Sequence, residues 1–269
     1  MTIRFGVMLS LAAAACSGPV ATTSTSSSSG SVTTDAGPPD AGSRTVCSSP
    51  TEVKCQDQLI QQLNLKTAVA PGLIDNTADG LGYKTHVDAT AGGFMAANPS
   101  GYVYASFTDS GLVKKDLDDS HALSSMDWDI ALRRYVLRIN SGGSGPSCVQ
   151  VARMPSSTNF DTLTSVPADI PWRTDDIMTP SCELIADGSG LPSSPNTALA
   201  SYYSYPGCLK MTGNVFVLRR QDGRKIKLMI TAYYNEDVQA TCQTNGMINS
   251  MAPTGSGNVR IKWAFMDAP

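Results

Sequence analysis

The sequence predicts an all-β fold: one large antiparallel domain of many strands with long loops, and at most a short helix near its N-terminus. Three observations lead there. Beyond position 100, apolar and polar residues alternate with the period of two that a half-buried strand requires. Clusters of Gly, Asn, Asp, Ser and Pro break the alternation where turns are needed. At 269 residues the chain also has the length of a single large β domain, roughly 200 to 250 residues once a leader and a tether are set aside.

Taken in order, residues 55–65 place Leu59, Ile60, Leu63 and Leu65 among glutamines, the pattern of the short helix. Residues 101–107 set Tyr102, Tyr104 and Ser106 against Val103, Ala105 and Phe107. Thr108-Asp109-Ser110-Gly111 then turns the chain into Leu112 and Val113, which makes a hairpin. Residues 134–139 read as a strand, with Tyr135, Leu137 and Ile139 on one face, ending at the glycine-rich run 140–146. The clearest hairpin joins residues 215–220 to 224–234 through Gln221-Asp222-Gly223, because Asp-Gly accepts the positive φ of a tight turn. On its second arm Ile226, Leu228, Ile230 and Ala232 share one face, and Lys225 and Lys227 the other. Residues 259–265, with Val259, Ile261, Trp263 and Phe265 alternating, close the sheet. Between 147 and 202 the pattern thins into prolines, serines and isolated apolar residues, as in long loops, where binding usually resides.

The N-terminus reads as an export signal. Arg4 supplies the positive charge, residues 5–15 a short apolar run, and Leu11-Ala12-Ala13-Ala14-Ala15 leads directly to Cys16. The run is too short to span a bilayer. A signal over 1–15 followed by a lipid-anchoring Cys16 is expected, the alternative being simple secretion with a stray thiol. Ser17 rather than aspartate after the cysteine points to the outer membrane, facing either the periplasm or the cell surface. Residues 16–45 are Ser, Thr, Gly, Ala and Pro with few large apolar side chains, a composition that cannot offset the entropy of ordering, so they read as a disordered tether ahead of a domain at 46–269.

Six further cysteines, Cys47, Cys55, Cys148, Cys182, Cys208 and Cys242, are expected to form disulfides in an oxidising compartment. Fifteen pairings are possible. Locality favours Cys47 with Cys55 and Cys182 with Cys208, leaving Cys148 with Cys242. No C-x-x-C spacing supports a zinc site.

Bulk charge disfavours a nucleic-acid partner: twenty basic and twenty-three acidic residues, net −3, leave no basic face for a phosphate backbone. Enzyme motifs are missing too, with no H-E-x-x-H, G-x-S-x-G, phosphate loop or dinucleotide fingerprint, so no catalytic residue is assigned. Asp127 and Asp129 flank Trp128 at strand spacing and would share a face, but a structural role is the preferred reading. Trp128, Trp172 and Trp263 are read as core or rim aromatics.

Three segments in order carry a family resemblance. The first is Asp127-Trp128-Asp129-Ile130-Ala131-Leu132-Arg133-Arg134-Tyr135-Val136-Leu137-Arg138-Ile139-Asn140-Ser141-Gly142. The second is Phe160-Asp161-Thr162-Leu163-Thr164-Ser165-Val166-Pro167. The third runs from Val215 through Arg219-Arg220-Gln221-Asp222-Gly223 to Leu228, with Ile230, Tyr233 and Tyr234. Together they resemble the HmuY family of bacterial haem-binding lipoproteins. The resemblance implies a lipid-anchored, nearly all-β outer-membrane protein that takes up haem in a loop-lined groove and passes it to a TonB-dependent receptor, without catalysing a reaction.

The best-known members ligate haem through two histidines after the D-W-D-I-A strand. Here only His86 and His121 occur, both before it. Other members use methionines, so Met154 and Met178 are the expected iron ligands, with His121 a further candidate and His86 a solvent-facing strand residue. Thioether ligation tends to raise the reduction potential and favour ferrous haem. Arg153 and Arg173 are the candidate partners of the haem propionates. The alternative is a non-haem surface binding or structural lipoprotein on the same scaffold, which the missing histidines favour.

Overall fold

The computed structural model describes residues 47–93, 96–249 and 253–266, all within the unit Ser43–Pro269. The signal at 1–15, the Cys16 anchor and the whole of the tether at 16–45 therefore lie outside the described residues. No helix among those described is long and apolar enough to cross a membrane.

The chain opens with helix α1 (Gln56–Gln62) and forms a hairpin of β1 (Ile74–Asp79) and β2 (Gly82–Asp88). A second hairpin, β3 (Val103–Thr108) with β4 (Gly111–Lys114), turns at the predicted Thr108–Gly111. After the one-turn helix α2 (Asp119–Ala122) come β5 (Ile130–Arg133), β6 (Val136–Ile139) and β7 (Gln150–Arg153). A long connection, a short pair β8 (Tyr203–Ser204) and β9 (Lys210–Met211), then β10 (Phe216–Arg219), β11 (Lys225–Ala232), helix α3 (Glu236–Asn245) and β12 (Asn258–Phe265) complete the order. The strands build an antiparallel six-stranded sheet, β1-β2-β12-β11-β10-β7, and a four-stranded sheet, β4-β3-β5-β6. The all-β expectation holds.

Strand alternation distributes the apolar residues over three layers. Val103, Phe107, Ile130, Leu132 and Ile139 of the smaller sheet meet Phe216, Leu218, Leu228, Ile261 and Trp263 of the larger, forming the main core between the sheets. The opposite register of the same strands faces outward. Tyr104 and Ala131 turn away from the core and pack with Trp128, with Leu59 of α1 and with Leu63 just past its end. On the far side of the molecule, Ala152, Val217 and Val215 pack with Met154 and Phe160. Each sheet is thus covered on its outer face by a smaller apolar cluster.

Three expectations are corrected. The predicted strand 134–139 is the second half of a hairpin: Arg133 pairs with Val136, and Arg134 and Tyr135 form the two-residue turn between β5 and β6. Arg134 takes φ 52°, a left-handed conformation that a bulky side chain rarely adopts, and no Gly, Asn or Asp marks the turn in the sequence. Helix α3 was not anticipated. Its sequence carries only Val238, Ala240 and Cys242 as apolar residues, and long-range ties hold it instead: Gln239 is buried, accepting from Tyr233 N and Tyr234 N and donating to Leu209 O. Glu236 and Asp237 in its first turn and Gly246 just past its end suit the helix dipole and the left-handed stop.

The third correction concerns the disulfides. All six cysteines are paired, but as Cys47–Cys148, Cys55–Cys182 and Cys208–Cys242, spanning 101, 127 and 34 residues, so each locality-based pairing fails. Two of the bridges fasten the N-terminal segment to distant loops, because α1 packs on the outer face of the smaller sheet rather than beside its sequence neighbours.

Within the D-W-D segment Trp128 and Asp129, but not Asp127, have the structural role expected. Trp128 is fully buried with its indole N–H donating to Ala122 O. Asp129 is buried, accepts from Phe107 N at 2.9 Å and Arg220 Nε at 3.0 Å, and so links the two sheets, while Asp127 is exposed. The two carboxylates do not form a pair. Burial raises the Asp129 carboxyl, with Arg220 opposing the shift. The glycine-rich turn after β6 is packed against the same tryptophan: a Cβ at Gly145 would stand 2.2 Å from Asn140 Oδ1 and 2.6 Å from Trp128 Cζ2. Gly145→Ala is expected to cost about 1–3 kcal/mol by overpacking. Denaturant unfolding checks this, and an unchanged midpoint would mean the turn has room to yield.

Candidate functional site

Each outer face carries a cleft. The first, of about 220 Å³, lies over the smaller sheet, where Leu63 and Tyr102 of the outer cluster line it. The second, of about 300 Å³, lies over the larger sheet beside Phe160.

Four segments build the first cleft. The residues just past α1 supply Leu63 and Asn64, the approach to β3 supplies Pro99 and Tyr102, the end of β5 and the turn after it supply Arg133, Arg134 and Tyr135, and the long connection supplies Pro192 and Pro195. Arg133 is fixed by donating to Asn64 O at 3.1 Å and to the Leu63 carbonyl, with its guanidinium 4.3 Å from the Tyr102 ring centre. The strained turn holds Arg134 at the rim, where its N–H donates to Ala89 O at 2.7 Å. Tyr135 is half-buried, its hydroxyl donates to Pro192 O at 3.3 Å, and burial raises its phenol.

Beneath the cleft runs a buried polar chain. Arg138, wholly inaccessible to solvent, lies 4.7 Å from the Tyr102 ring centre and donates to Ser144 Oγ, Ser144 O and Tyr104 Oη. Tyr104 donates in turn to Asp119 Oδ1 at 3.0 Å, and Asp119 also accepts from Lys66 N and Tyr102 N. A buried cation and anion are thus joined through a phenol, each with its hydrogen bonds met.

The second cleft is electrically balanced, with Lys227 and Lys262 set against Asp79 and Asp161. Lys262 pairs with Asp161 at 2.7 Å and with Asp79 at 3.6 Å. Lys227 donates to the carbonyls of Phe160 and Leu163 at 2.9 and 3.0 Å, and both ammonium groups stand about 5 Å from the Phe160 ring centre. These contacts clasp the 160–164 segment onto the sheet and leave the lysines occupied.

None of the candidate iron ligands Met154, Met178 and His121, nor the propionate candidates Arg153 and Arg173, lines either cleft. Met154 is 2% exposed within the cluster outside the larger sheet, whereas Met178 is half-buried against the cluster outside the smaller sheet. The two sulfurs sit on opposite outer faces of the sandwich and do not converge on one iron. His121 is exposed on α2, its Nδ1 2.6 Å from Asp118 Oδ2. Burial pushes the Asp118 carboxyl up, but hydrogen bonds from His121 and Ser120 outweigh it and hold that carboxyl below the usual range. His86 is half-buried on β2 and bonds Asn258 Oδ1. Arg153 and Arg173 are exposed at the edge of the larger sheet, Arg173 bridging Val151 through its backbone. Among the described residues no cluster of three or more His, Cys, Asp or Glu is placed to hold a metal ion.

Tyr102, Arg133, Arg134 and Tyr135 were missed as site residues. Their signal was present: two consecutive arginines and a tyrosine stand between the apolar Ile130-Ala131-Leu132 and Val136-Leu137. Reading them as strand interior concealed it.

Solved structures of similar architecture include a Bacteroides vulgatus protein named as HmuY-like and heme-binding (15% identity, 72% of this chain and 97% of that one, TM-score 0.44). Others are a Bacteroides fragilis protein named as a lipoprotein (16%, 72% and 95%, TM-score 0.40) and the apo HmuY analog of Tannerella forsythia (14%, 74% and 99%, TM-score 0.38). No curated protein matches the chain. The family model described as HmuY protein matches residues 98–248, which takes in β3 to α3 and most of the segments lining the first cleft. That match spans more than half of the sequence, and the chain belongs to the HmuY family.

Proposed function

We propose that this protein is a surface lipoprotein, anchored through Cys16 to the outer membrane, that binds haem at the cleft over the four-stranded sheet and passes it to an outer-membrane uptake receptor. The observation that carries this reading is the composition of that cleft within the family-matched region: tyrosine rings, prolines and Val136 for the face of a planar macrocycle, and arginines for its acidic edge. Its volume of about 220 Å³ suits one edge of a porphyrin, the rest lying open for transfer.

Of the three candidate iron ligands, Met178 is the one that packs against the cluster walling this cleft, so it is the ligand this reading favours. Met154 is sealed on the other face, and His121 is engaged by Asp118. One thioether and an open position fit ferrous better than ferric haem.

Titrating haemin into the protein, oxidised and then reduced with dithionite, tests the proposal. A saturable Soret shift, tighter in the reduced state and weakened about tenfold or more in Met178→Ala but not in Met154→Ala, is the expected result. A flat response in both states would transfer the assignment to a non-haem binding module on this scaffold.

A further inference from the structure

The first cleft differs from the second in its charge. It is lined by two arginines, Arg133 and Arg134, and by no carboxylate, in a chain whose net charge is −3. Arg133 has only main-chain oxygens and the Tyr102 ring for company, and among the described residues it forms no ion pair with an acid. A cation held in place with its charge uncompensated attracts an anion.

A second observation is independent of charge. Tyr102 is 1% exposed, yet its Oη has no hydrogen-bond partner among the described residues. Buried phenols are nearly always satisfied, and an orphan of this kind costs roughly 1–3 kcal/mol. Its neighbours do not relieve it, because the guanidinium groups of Arg133 and Arg138 lie over the ring, 4.3 and 4.7 Å from its centre, rather than against the hydroxyl. The same residue lines the cleft.

We infer that the cleft is a carboxylate-binding subsite, in which the Tyr102 hydroxyl donates to one oxygen of a carboxylate and the Arg133 guanidinium meets the other. The partner class is a carboxylate borne on an apolar, planar body, since the remaining walls are Leu63, Val136, Tyr135 and prolines. That the body is a porphyrin rests on the function proposed above; the carboxylate recognition itself does not. It also reassigns the acid-binding role from Arg153 and Arg173, which are exposed away from both clefts.

The test uses the full chain labelled with ¹⁵N-arginine and ¹³C-tyrosine, titrated with benzoate and, separately, with methyl benzoate. The expected result is a saturable shift of the Arg133 Nε–H and Tyr102 ring resonances with benzoate and none with the ester. Tyr102→Phe, which keeps the ring between its cations and removes only an oxygen that bonds nothing in the free protein, should melt no lower than the parent yet bind benzoate about tenfold or more weakly. Arg133→Gln should weaken it similarly. With haemin as ligand, the dimethyl ester should bind correspondingly less tightly than the diacid, and Tyr102→Phe should erase that difference. Absence of any benzoate shift, or full affinity in Tyr102→Phe, overturns the subsite even if haemin binds. A benzoate shift without haemin binding upholds the subsite and sinks only the haem assignment.

Discussion

Asp175→Ala is expected to melt about 5–20 °C below the parent protein. The Asp175 side chain is wholly buried in the long connection between β7 and β8, and its two oxygens accept from Ile139 N at 2.8 Å and Ala198 N at 2.7 Å. Its own carbonyl accepts from Gly143 N at 2.7 Å. One residue therefore ties the end of β6, the glycine-rich turn and the far end of the loop that carries Pro192 and Pro195. Truncation orphans two buried N–H groups at about 1–3 kcal/mol each, and for a domain of this size each kcal/mol moves the midpoint by roughly 2–4 °C. Calorimetry measures the loss; a shift under 2 °C would mean the loop is held by other contacts.

The same residue has a pH signature of unusual sign. Burial pushes the Asp175 carboxyl up to about 6, against the backbone hydrogen bonds from Ala198 and Ile139, the Ser144 hydroxyl and the Arg138 charge, which pull it down. An acid raised in the folded state is protonated there while the unfolded chain is already ionised. Its contribution is thus complete below about pH 4 and disappears as pH climbs through 6, a change on the order of 3 kcal/mol. Asp79 and Asp109, whose ion pairs with Lys84 and Arg224 hold their carboxyls down, act in the opposite direction at lower pH. Comparing denaturant midpoints of the parent and Asp175→Asn from pH 4 to 7 isolates the term: the parent should lose stability relative to the variant as pH rises, and parallel curves would refute it.

The second large effect concerns the Cys55–Cys182 bridge. It closes 127 residues, and cross-linking a loop of that length restricts the unfolded chain by roughly 4–5 kcal/mol in the chain-entropy model. Replacing both cysteines by serine should lower the melting temperature by about 8–20 °C. The bridge also anchors the start of α1, and just past its far end Leu63 and Asn64 line the cleft and hold the Arg133 guanidinium through their carbonyls. Benzoate affinity is therefore expected to fall along with stability, whereas opening Cys208–Cys242, which fastens α3, should lower stability and leave affinity unchanged. Equal affinity losses in the two variants would argue that α1 has no special part in the site.

What could be read from the sequence follows the range of the forces involved. The β10–β11 hairpin and β12 were visible because alternation and Asp222-Gly223 are local signals, and the structure pairs Phe216 with Leu228 and Arg219 with Lys225 about that turn. The long connection was visible as loop, but its fastening by Asp175 was not, since the partners lie 36 and 23 residues away. The cysteines were recognised as bridged yet mispaired, because pairing obeys the packing of α1 on the outer face and not proximity along the chain. The candidate site depends on contacts of longer range still. Met154 and Met178 attracted attention through their residue type and loop positions, but Met154 packs with the cluster outside the larger sheet, and Met178, in the long connection, against the cluster outside the smaller one. Two of the cleft residues, Arg134 and Tyr135, lie on a turn with Arg134 at φ 52°, which no turn-forming residue announces.

The bridge from Cys47 to Cys148 determines how the domain bears a pull on its leading end. Cys47 is the first described residue, and its partner lies two positions before β7, the strand on one margin of the larger sheet. Tension arriving from the N-terminal side is delivered through sulfur to that margin, and residues 48–147, with α1 and the first hairpins among them, form a closed ring that carries little of it. Shear from outside then acts on the β7–β10 backbone bonds first, while the cleft segments inside the ring, from Leu63 to the β5–β6 turn, stay unstressed. A reducing agent would reverse that order, stripping α1 from the sheet before any strand gives way.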